Sequence, residues 1–161
     1  KDSQDLEMLR INALGALRIS ELFIELTKNS KWPRKVINFS SVGGGFQAFP
    51  HFRLSDGMSK AAVSFLTKQL AAEHVYTNVD VFAIAPGATN TGMFQASTLS
   101  AMSEVEKKDF ISKLPKSRLI EPEEIAELVI FLAAEGSTYL HGAIIDASMG
   151  LGSRPGILSE Q

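Results

Sequence analysis

An aspartate and a lysine one helical turn apart, Asp56 and Lys60 in Ser55-Asp56-Gly57-Met58-Ser59-Lys60, are the side chains best spaced to do chemistry. Side chains four residues apart meet on one helix face, so the carboxylate can pair with the ammonium or act as a base that accepts a proton. A plain structural reason for the acid exists too: Ser55 makes a good N-cap, and Asp56 falls in the first turn, where its charge complements the helix dipole. A second group is Ser40-Ser41, which follows a short apolar run and precedes Val42-Gly43-Gly44-Gly45. Hydroxyls there can hydrogen-bond a ligand oxygen or satisfy backbone groups at a strand end.

Those residues need a scaffold, and the pattern around them supplies one. Residues 2–29 carry apolar side chains on more than one face and predict a long helix, packed on a sheet on one side and on another subunit on the other, or else deeply buried. Trp32-Pro33 ends it, and 35–41 reads as a short buried strand. After a loop, 55–74 reads as a helix with Met58, Ala61, Ala62, Phe65, Leu66, Leu70 and Ala71 inward. Residues 79–85 form a second buried strand closed by Pro86-Gly87, and 88–102 a loop with short helical pieces, a candidate lid lined by Met93, Phe94, Leu99 and Met102. Helices at 103–114, with a capping box, and 122–134, with Pro122 in its first turn, lead to a last strand at 142–147 and a loop or docking arm from Met149.

Strands alternating with helices give an α/β class with right-handed parallel crossovers, and ligands in such sheets bind at the carboxyl ends of the strands. Three strands are few for such a sheet, and the chain begins within a helical pattern, so the fold reads as part of something longer.

Composition narrows the function classes. A net charge of −2 with 16 scattered Lys and Arg gives no basic field for nucleic acid. The absence of cysteine removes disulfides and thiol catalysis, and three histidines offer no zinc spacing, so no metal is expected. No apolar run is long enough to cross a bilayer, no membrane partner is expected, and the cytoplasm is the default location.

Five motifs in order resemble the C-terminal part of the short-chain dehydrogenase/reductase family. Ile11-Asn12-Ala13-Leu14-Gly15 is similar to the helix bearing an active-site asparagine, and Ile37-Asn38-Phe39-Ser40-Ser41 to the strand ending in the active-site serine. Ser59-Lys60-Ala61-Ala62 resembles the end of the Tyr-x-x-x-Lys motif, and Pro86-Gly87-Ala88-Thr89-Asn90-Thr91 the loop that touches the nicotinamide. Arg118 with Pro122-Glu123-Glu124-Ile125-Ala126 is similar to the later helix start. The resemblance implies a partial Rossmann-like, doubly wound parallel sheet lacking its N-terminal strands, in a single segment spanning 1–161.

What it implies for function is an NAD(P)-dependent oxidoreductase interconverting small carbonyls and alcohols, with NAD or NADP as cofactor. Asn12, Ser41, Asp56 and Lys60 take the catalytic positions; Lys60, Pro86, Gly87, Thr89 and Thr91 take the cofactor-binding ones. The family's tyrosine, its proton donor or acceptor, is replaced by Asp56, which lies fifteen residues after Ser41, slightly more than the usual spacing. A lysine one turn on and a helix N-terminus both favour the charged carboxylate, so donating a proton near pH 7 would cost roughly 4 kcal/mol. Asp56 is therefore expected to act as a base or to pair with Lys60, and the ion pair is preferred. The remaining glycine run, 43–45, lacks the spacing that cradles a pyrophosphate, and the family's cofactor half would lie upstream. A non-catalytic association module, or one part of a multi-domain fusion, is the alternative. By the same resemblance, helices 2–29 and 55–74 would form a dimer or tetramer interface.

Overall fold

The computed structural model describes residues 2–50 and 52–154. The segment expected to be a loop or docking arm forms turns from Met149 to Ser153, and its remainder, 155–161, lies outside the described residues.

Strand β2 (Val79–Pro86) is the centre of the molecule, with seven consecutive buried residues. A strand can be buried without alternation only if both faces of its sheet are covered. β1 (Arg34–Phe39) and β3 (Ile144–Ala147) flank it, both parallel, in the order β1-β2-β3. One face buries Val36, Val79 and Val81 against Leu70 and Ala71 of α4 (Leu54–His74), with Ile24 of α2 (Gly15–Leu26) beside them. The other buries Phe82 and Ile84 against Leu132 of α7 (Pro122–Ala133). These three are fully buried, and each contributes about 1.5–3 kcal/mol through apolar burial. The doubly covered parallel sheet is the expected α/β arrangement.

The first helix departs from expectation in its middle. α1 (Asp2–Leu9) opens into a π-helical turn at Arg10–Leu14, where Gly15 N–H donates to Arg10 O five residues back, before α2 continues. The helix ends at Leu26, and Leu6, Ile19, Leu22 and Leu26 are mostly solvent-exposed.

The inward face of α4 also differs. Met58 and Phe65, expected inside, are 60% and 69% exposed, while Ser55, Ser59, Val63, Ser64, Thr67, Leu70 and Ala71 are buried. Small hydroxyl side chains let the helix approach the sheet closely, and each one buried must find a partner. Asn38 Nδ2 donates to Thr67 Oγ1 at 3.0 Å, and the Ser40 and Ser64 hydroxyls share a hydrogen bond at 2.7 Å. Among the described residues no buried side-chain polar atom lacks a partner.

In the loop expected after β1, Val42–Gly45 forms one irregular turn, α3, in which Gly43 and Gly44 depart from helical backbone angles. Gly44 has φ +85°, and a Cβ there would lie 2.2 Å from the Gly57 carbonyl oxygen. The glycine run thus serves the contact between α3 and the start of α4.

The segment after β2 carries the short helical pieces expected of it, followed by the expected helix. It forms α5 (Gly92–Phe94), a π-helical turn at Gln95–Leu99, and α6 (Glu104–Lys113), whose expected capping box joins Ser103 and Glu106. Leu99, Phe94 and Met102, expected to line a pocket, instead build a small core with Leu114, Leu119 and Phe110; Met93 is 80% exposed. Arg118 binds Glu124 at 2.6 Å and fastens the start of α7.

Candidate active site

The site forms where the π-helical turn meets the first turns of α4. A wide turn shifts the helix face, and here it presents Asn12 to α4. Asn12 Nδ2 donates to Ser59 Oγ at 3.0 Å and, at the longer 3.4 Å, to Asp56 Oδ1. Ser59 is fully buried, and its hydroxyl donates to Asp56 O at 2.7 Å. One asparagine therefore anchors both the side chain of Asp56 and the helical turn that carries it.

A second contact lies two turns earlier on the same helix. The Asp5 carboxylate accepts from Ser55 Oγ at 2.6 Å and from the Arg53 guanidinium at 2.8 and 3.2 Å. Those bonds, the Ser55 hydroxyl first and Arg53 next, hold the Asp5 carboxyl below its ordinary value. Asp5 and Asn12 thus tie the first helix to the residues immediately around Asp56. Sequence alone passed over Asp5 and Arg53 and placed Ser55 at the N-cap, whereas α4 begins at Leu54 with Arg53 in the N-cap position and the Ser55 hydroxyl is spent on Asp5; only the seven-residue spacing of Asp5 and Asn12, which repeats on one helix face, hints at the arrangement.

Lys60 corrects an expectation. Its ammonium forms no ion pair with Asp56 but donates to Phe39 O at 3.1 Å, at the end of β1. Partial burial pushes its pKa down, and the nearby Asp56 charge partly opposes that shift. The strand-end carbonyl supplies a fixed hydrogen bond to a half-buried ammonium, whereas the carboxylate one turn back is engaged by Asn12.

The two serines play separate parts. Ser40, only 4% exposed, donates to Lys60 O at 2.9 Å and locks the strand end to α4. Ser41 is half-buried and caps α3, accepting from Gly43 N–H at 3.2 Å; no hydrogen bond joins it to Asp56. The Phe52 ring lies over Gly43 and Gly57, within 3.0 Å of where a Gly43 Cβ would stand. This aromatic cover beside Asp56 was not foreseen either.

Residues proposed for the cofactor lie at the neighbouring strand end. Pro86 closes β2 opposite Ala147, and Gly87 N–H donates to Ala147 O at 3.3 Å. A Cβ on Gly87 would meet Ser148 at 3.1 Å, so this glycine packs closely on the residue after β3. Thr89 Oγ1 donates to Gly87 O, Thr91 Oγ1 caps α5 by accepting from Phe94 N–H, and Thr89 bridges Ile120. The loop is therefore held in place at the carboxyl edge of the sheet, where Lys60 also lies.

The donor set fits a nicotinamide nucleotide at its ribose end. Among the described residues Phe39 O is the one hydrogen-bond acceptor of the Lys60 ammonium, which leaves N–H groups for a pair of hydroxyls. At the phosphate end the 43–45 glycines do not fit, because their freedom is used in packing on α4.

The chain is 31% identical over 145 residues to the 3-oxoacyl-(acyl-carrier-protein) reductase FabG of Aquifex aeolicus (strain VF5), covering 90% of this chain and 55% of the relative. It is also 31% identical over 145 residues to the 7alpha-hydroxysteroid dehydrogenase of Paraclostridium sordellii, covering 89% and 52%. It thus spans about half the length of these curated relatives. Among solved structures, a variant actinorhodin polyketide ketoreductase with NADPH superposes with a TM-score of 0.85 at 25% identity, covering 94% of this chain and 60% of the other. ElxO with NADP bound superposes at 0.83 and 25%, covering 96% and 60%. A family model described as enoyl-(acyl carrier protein) reductase matches residues 2–152, and the chain belongs to this short-chain dehydrogenase/reductase family.

Proposed function

We propose that the intact protein is an NAD(P)-dependent oxidoreductase acting on a small molecule at a carbonyl or alcohol carbon, and that it runs best in the direction of alcohol oxidation. The observation that carries this reading is that Asp56 is held by Asn12 and not neutralised by Lys60. When bound, the nicotinamide supplies or accepts the hydride. Asp56 accepts the hydroxyl proton as a base, Asn12 holds its carboxylate, Ser41 binds the substrate oxygen, and Lys60 holds the ribose hydroxyls. Reduction is disfavoured: an alkoxide forming ~4 Å from a carboxylate meets a repulsion of about 4 kcal/mol at an effective dielectric of ~20, with no phenol to quench it.

The share of the relatives' length that the chain covers and the unpaired outer edge of β1 support a further proposal, that sequence beyond these residues supplies the remaining strands and the phosphate-binding turn. A groove of about 330 Å³ runs along that edge between β1 and the Ile19 and Phe23 side chains of α2. The loop from Pro86 to Thr91, with Gly87 and Thr89, would then face the nicotinamide. The exposed apolar faces of the first helix and of α4, Ile19, Leu22, Met58 and Phe65, support association into a homodimer or homotetramer. A stable monomer at micromolar concentration in sedimentation would refute that association. Among the described residues no helix is long and apolar enough to cross a membrane. A cytoplasmic location remains part of the proposal, for which fractionation of the source cells is the check.

Calorimetric titration of the intact protein with NAD, NADP and their reduced forms tests the central reading. Saturable binding of at least one nucleotide, weakened by Lys60→Ala, is expected. No heat and no shift with any of the four would refute it.

A further inference from the structure

Of the serine pair at the end of β1, Ser41 is the one assigned to the substrate oxygen, which leaves the hydroxyl of Ser40 without a part in the chemistry. Ser40 is 4% exposed and turned towards α4. Its backbone N–H donates to Ile84 O of the central strand at 2.8 Å, and its hydroxyl donates to Lys60 O at 2.9 Å. The residue before it, Phe39, accepts from Lys60 Nζ at 3.1 Å. The strand end therefore grips Lys60 by both its main chain and its ammonium, and is itself pinned to β2.

Proton counting fixes the direction of the remaining contact. A hydroxyl has one hydrogen, and Lys60 O can only accept, so in the 2.7 Å contact between Ser40 and Ser64 the hydrogen comes from Ser64. The α3 turn closes over the pair: a Cβ on Gly45 would lie 2.6 Å from Ser40 Oγ and 3.3 Å from Ser64 Oγ. Satisfying the buried hydroxyls does not itself require Ser40. Ser64 follows Lys60 by four residues, the spacing at which a serine hydroxyl turns back to a carbonyl of its own helix. With alanine at position 40, Ser64 can take Lys60 O, and what disappears is the tie from the strand to Lys60. A lysine has a flexible four-carbon stem, so its ammonium holds one position only when its origin is fixed.

We propose that Ser40 is a positioning residue for the nicotinamide nucleotide: through Lys60 O it fixes where the Lys60 ammonium meets the ribose hydroxyls. This rests on the nicotinamide-dependent reading given under Proposed function and adds a residue to it.

The test compares Ser40→Ala with Ser64→Ala in the intact protein. Each removes one hydroxyl of the same buried pair, but Ser64→Ala leaves the Ser40 bond to Lys60 O in place. The ligand is NADH or NADPH, whichever wild type binds more tightly, titrated by calorimetry. Binding is expected to weaken about five- to tenfold in Ser40→Ala, the scale of one hydrogen bond, and to stay within about twofold of wild type in Ser64→Ala. In a Lys60→Ala background the Ser40→Ala loss is expected to vanish, because a residue acting through Lys60 has nothing left to place. Equal effects in the two serine variants, or a Ser40→Ala loss that persists without Lys60, overturns the proposal. A second readout needs no nucleotide. Burial holds the Lys60 ammonium below its ordinary pKa of 10.5, and Asp56, the charge beside it, is untouched by either variant. A carbon NMR titration of Lys60 Cε, assigned as the signal missing from Lys60→Ala, is expected to move towards 10.5 in Ser40→Ala and to stay in place in Ser64→Ala. No movement in Ser40→Ala overturns the proposal. Where wild type binds no nucleotide the oxidoreductase reading falls, and the titration alone then decides whether Ser40 places Lys60.

Discussion

Two aspartate–lysine couples lie in this molecule, and they behave in opposite ways. Lys35 and Asp80 are cross-strand partners in the register of β1 and β2, and they meet at 2.6 Å with side chains only 9% and 11% exposed. Thr138 Oγ1 donates to the same Asp80 oxygen at 2.8 Å, Ser137 Oγ accepts from Lys35 at 3.1 Å, and the ammonium sits 5.7 Å from the centre of the Phe82 ring. Asp56 and Lys60 have the helical spacing that favours an ion pair and do not form one. Magnitudes explain the contrast. A pair at this helical spacing contributes about 0.3–0.5 kcal/mol, whereas leaving a buried polar group without a partner costs about 1–3 kcal/mol. The Lys60 bond to Phe39 O lies in an exposed place, where neither choice of partner strands a buried group, while Lys35 meets in Asp80 a buried carboxylate beside which the His141 ring also lies, at 3.4 Å. One couple holds the sheet together, and the other leaves two charges available to a ligand.

The largest way to break this contrast is Lys35→Met. Removing one partner of a buried pair strands the other, and a loss of about 3–5 kcal/mol is expected. For a chain of this size that lowers the melting temperature by roughly 10 °C, at ~3 °C per kcal/mol. Pairing it with Asp80→Leu should recover much of the loss in chemical denaturation. If Lys35→Met were neutral, the sheet couple would be no stronger than the helical one, and the distinction drawn between them would fail.

Local signals carried much of the fold and few of the contacts. Trp32-Pro33 and Pro86-Gly87 are breakers whose effect is confined to their neighbours, so the bounds of β1 and β2 were legible to within a residue or two. The inward face of α4 was not, because hydrophobic periodicity ranks Met58 and Phe65 above Ser59, Ser64 and Thr67, whereas close packing on a sheet selects small volume. The π-helical turn at Arg10–Leu14 changes no residue type and leaves no periodic trace. Asn12, Ser41, Asp56 and Lys60 could be named from the family resemblance, but their partners could not. Lys60 turns to a carbonyl 21 residues away, and Asn12 reaches Asp56 across 44, separations over which pattern gives no geometry.

A smaller effect sharpens the other side of the comparison. Burial holds the Lys60 ammonium below its ordinary pKa of 10.5, so the folded chain releases its proton before the unfolded one does. The stability penalty is then fully present below the folded value and is relieved as pH rises towards 10.5. Lys60→Met removes that penalty along with the bond to Phe39 O. A net change within about 1 kcal/mol at neutral pH is expected, together with loss of the rise in stability on the alkaline side. A loss as large as that of Lys35→Met would mean that Lys60 is a structural cation like Lys35 and not one left for a ligand.

The smallest effect tests the exposed cation–carboxylate contact between these extremes. Asp5 accepts from Ser55 and Arg53 in the open, so solvent screens most of what it contributes at neutral pH. Its carboxyl is nevertheless held below 3.8, and the sign follows from that direction: the contribution is complete above the unfolded value and is lost as pH falls through the lower folded one. Thermal melts of Asp5→Asn should match wild type within a degree or two at pH 7, and the wild type should lose more stability than the variant as pH falls from about 4 towards 2. The same substitution also separates fold from site, because Asp5 grips Ser55 directly before Asp56. Amide exchange at the start of α4 should quicken in Asp5→Asn at pH 7 while exchange in β2 stays unchanged. Quickening in both would make Asp5 a contributor to the fold as a whole, and quickening in neither would leave Asn12 alone to hold the carboxylate in place.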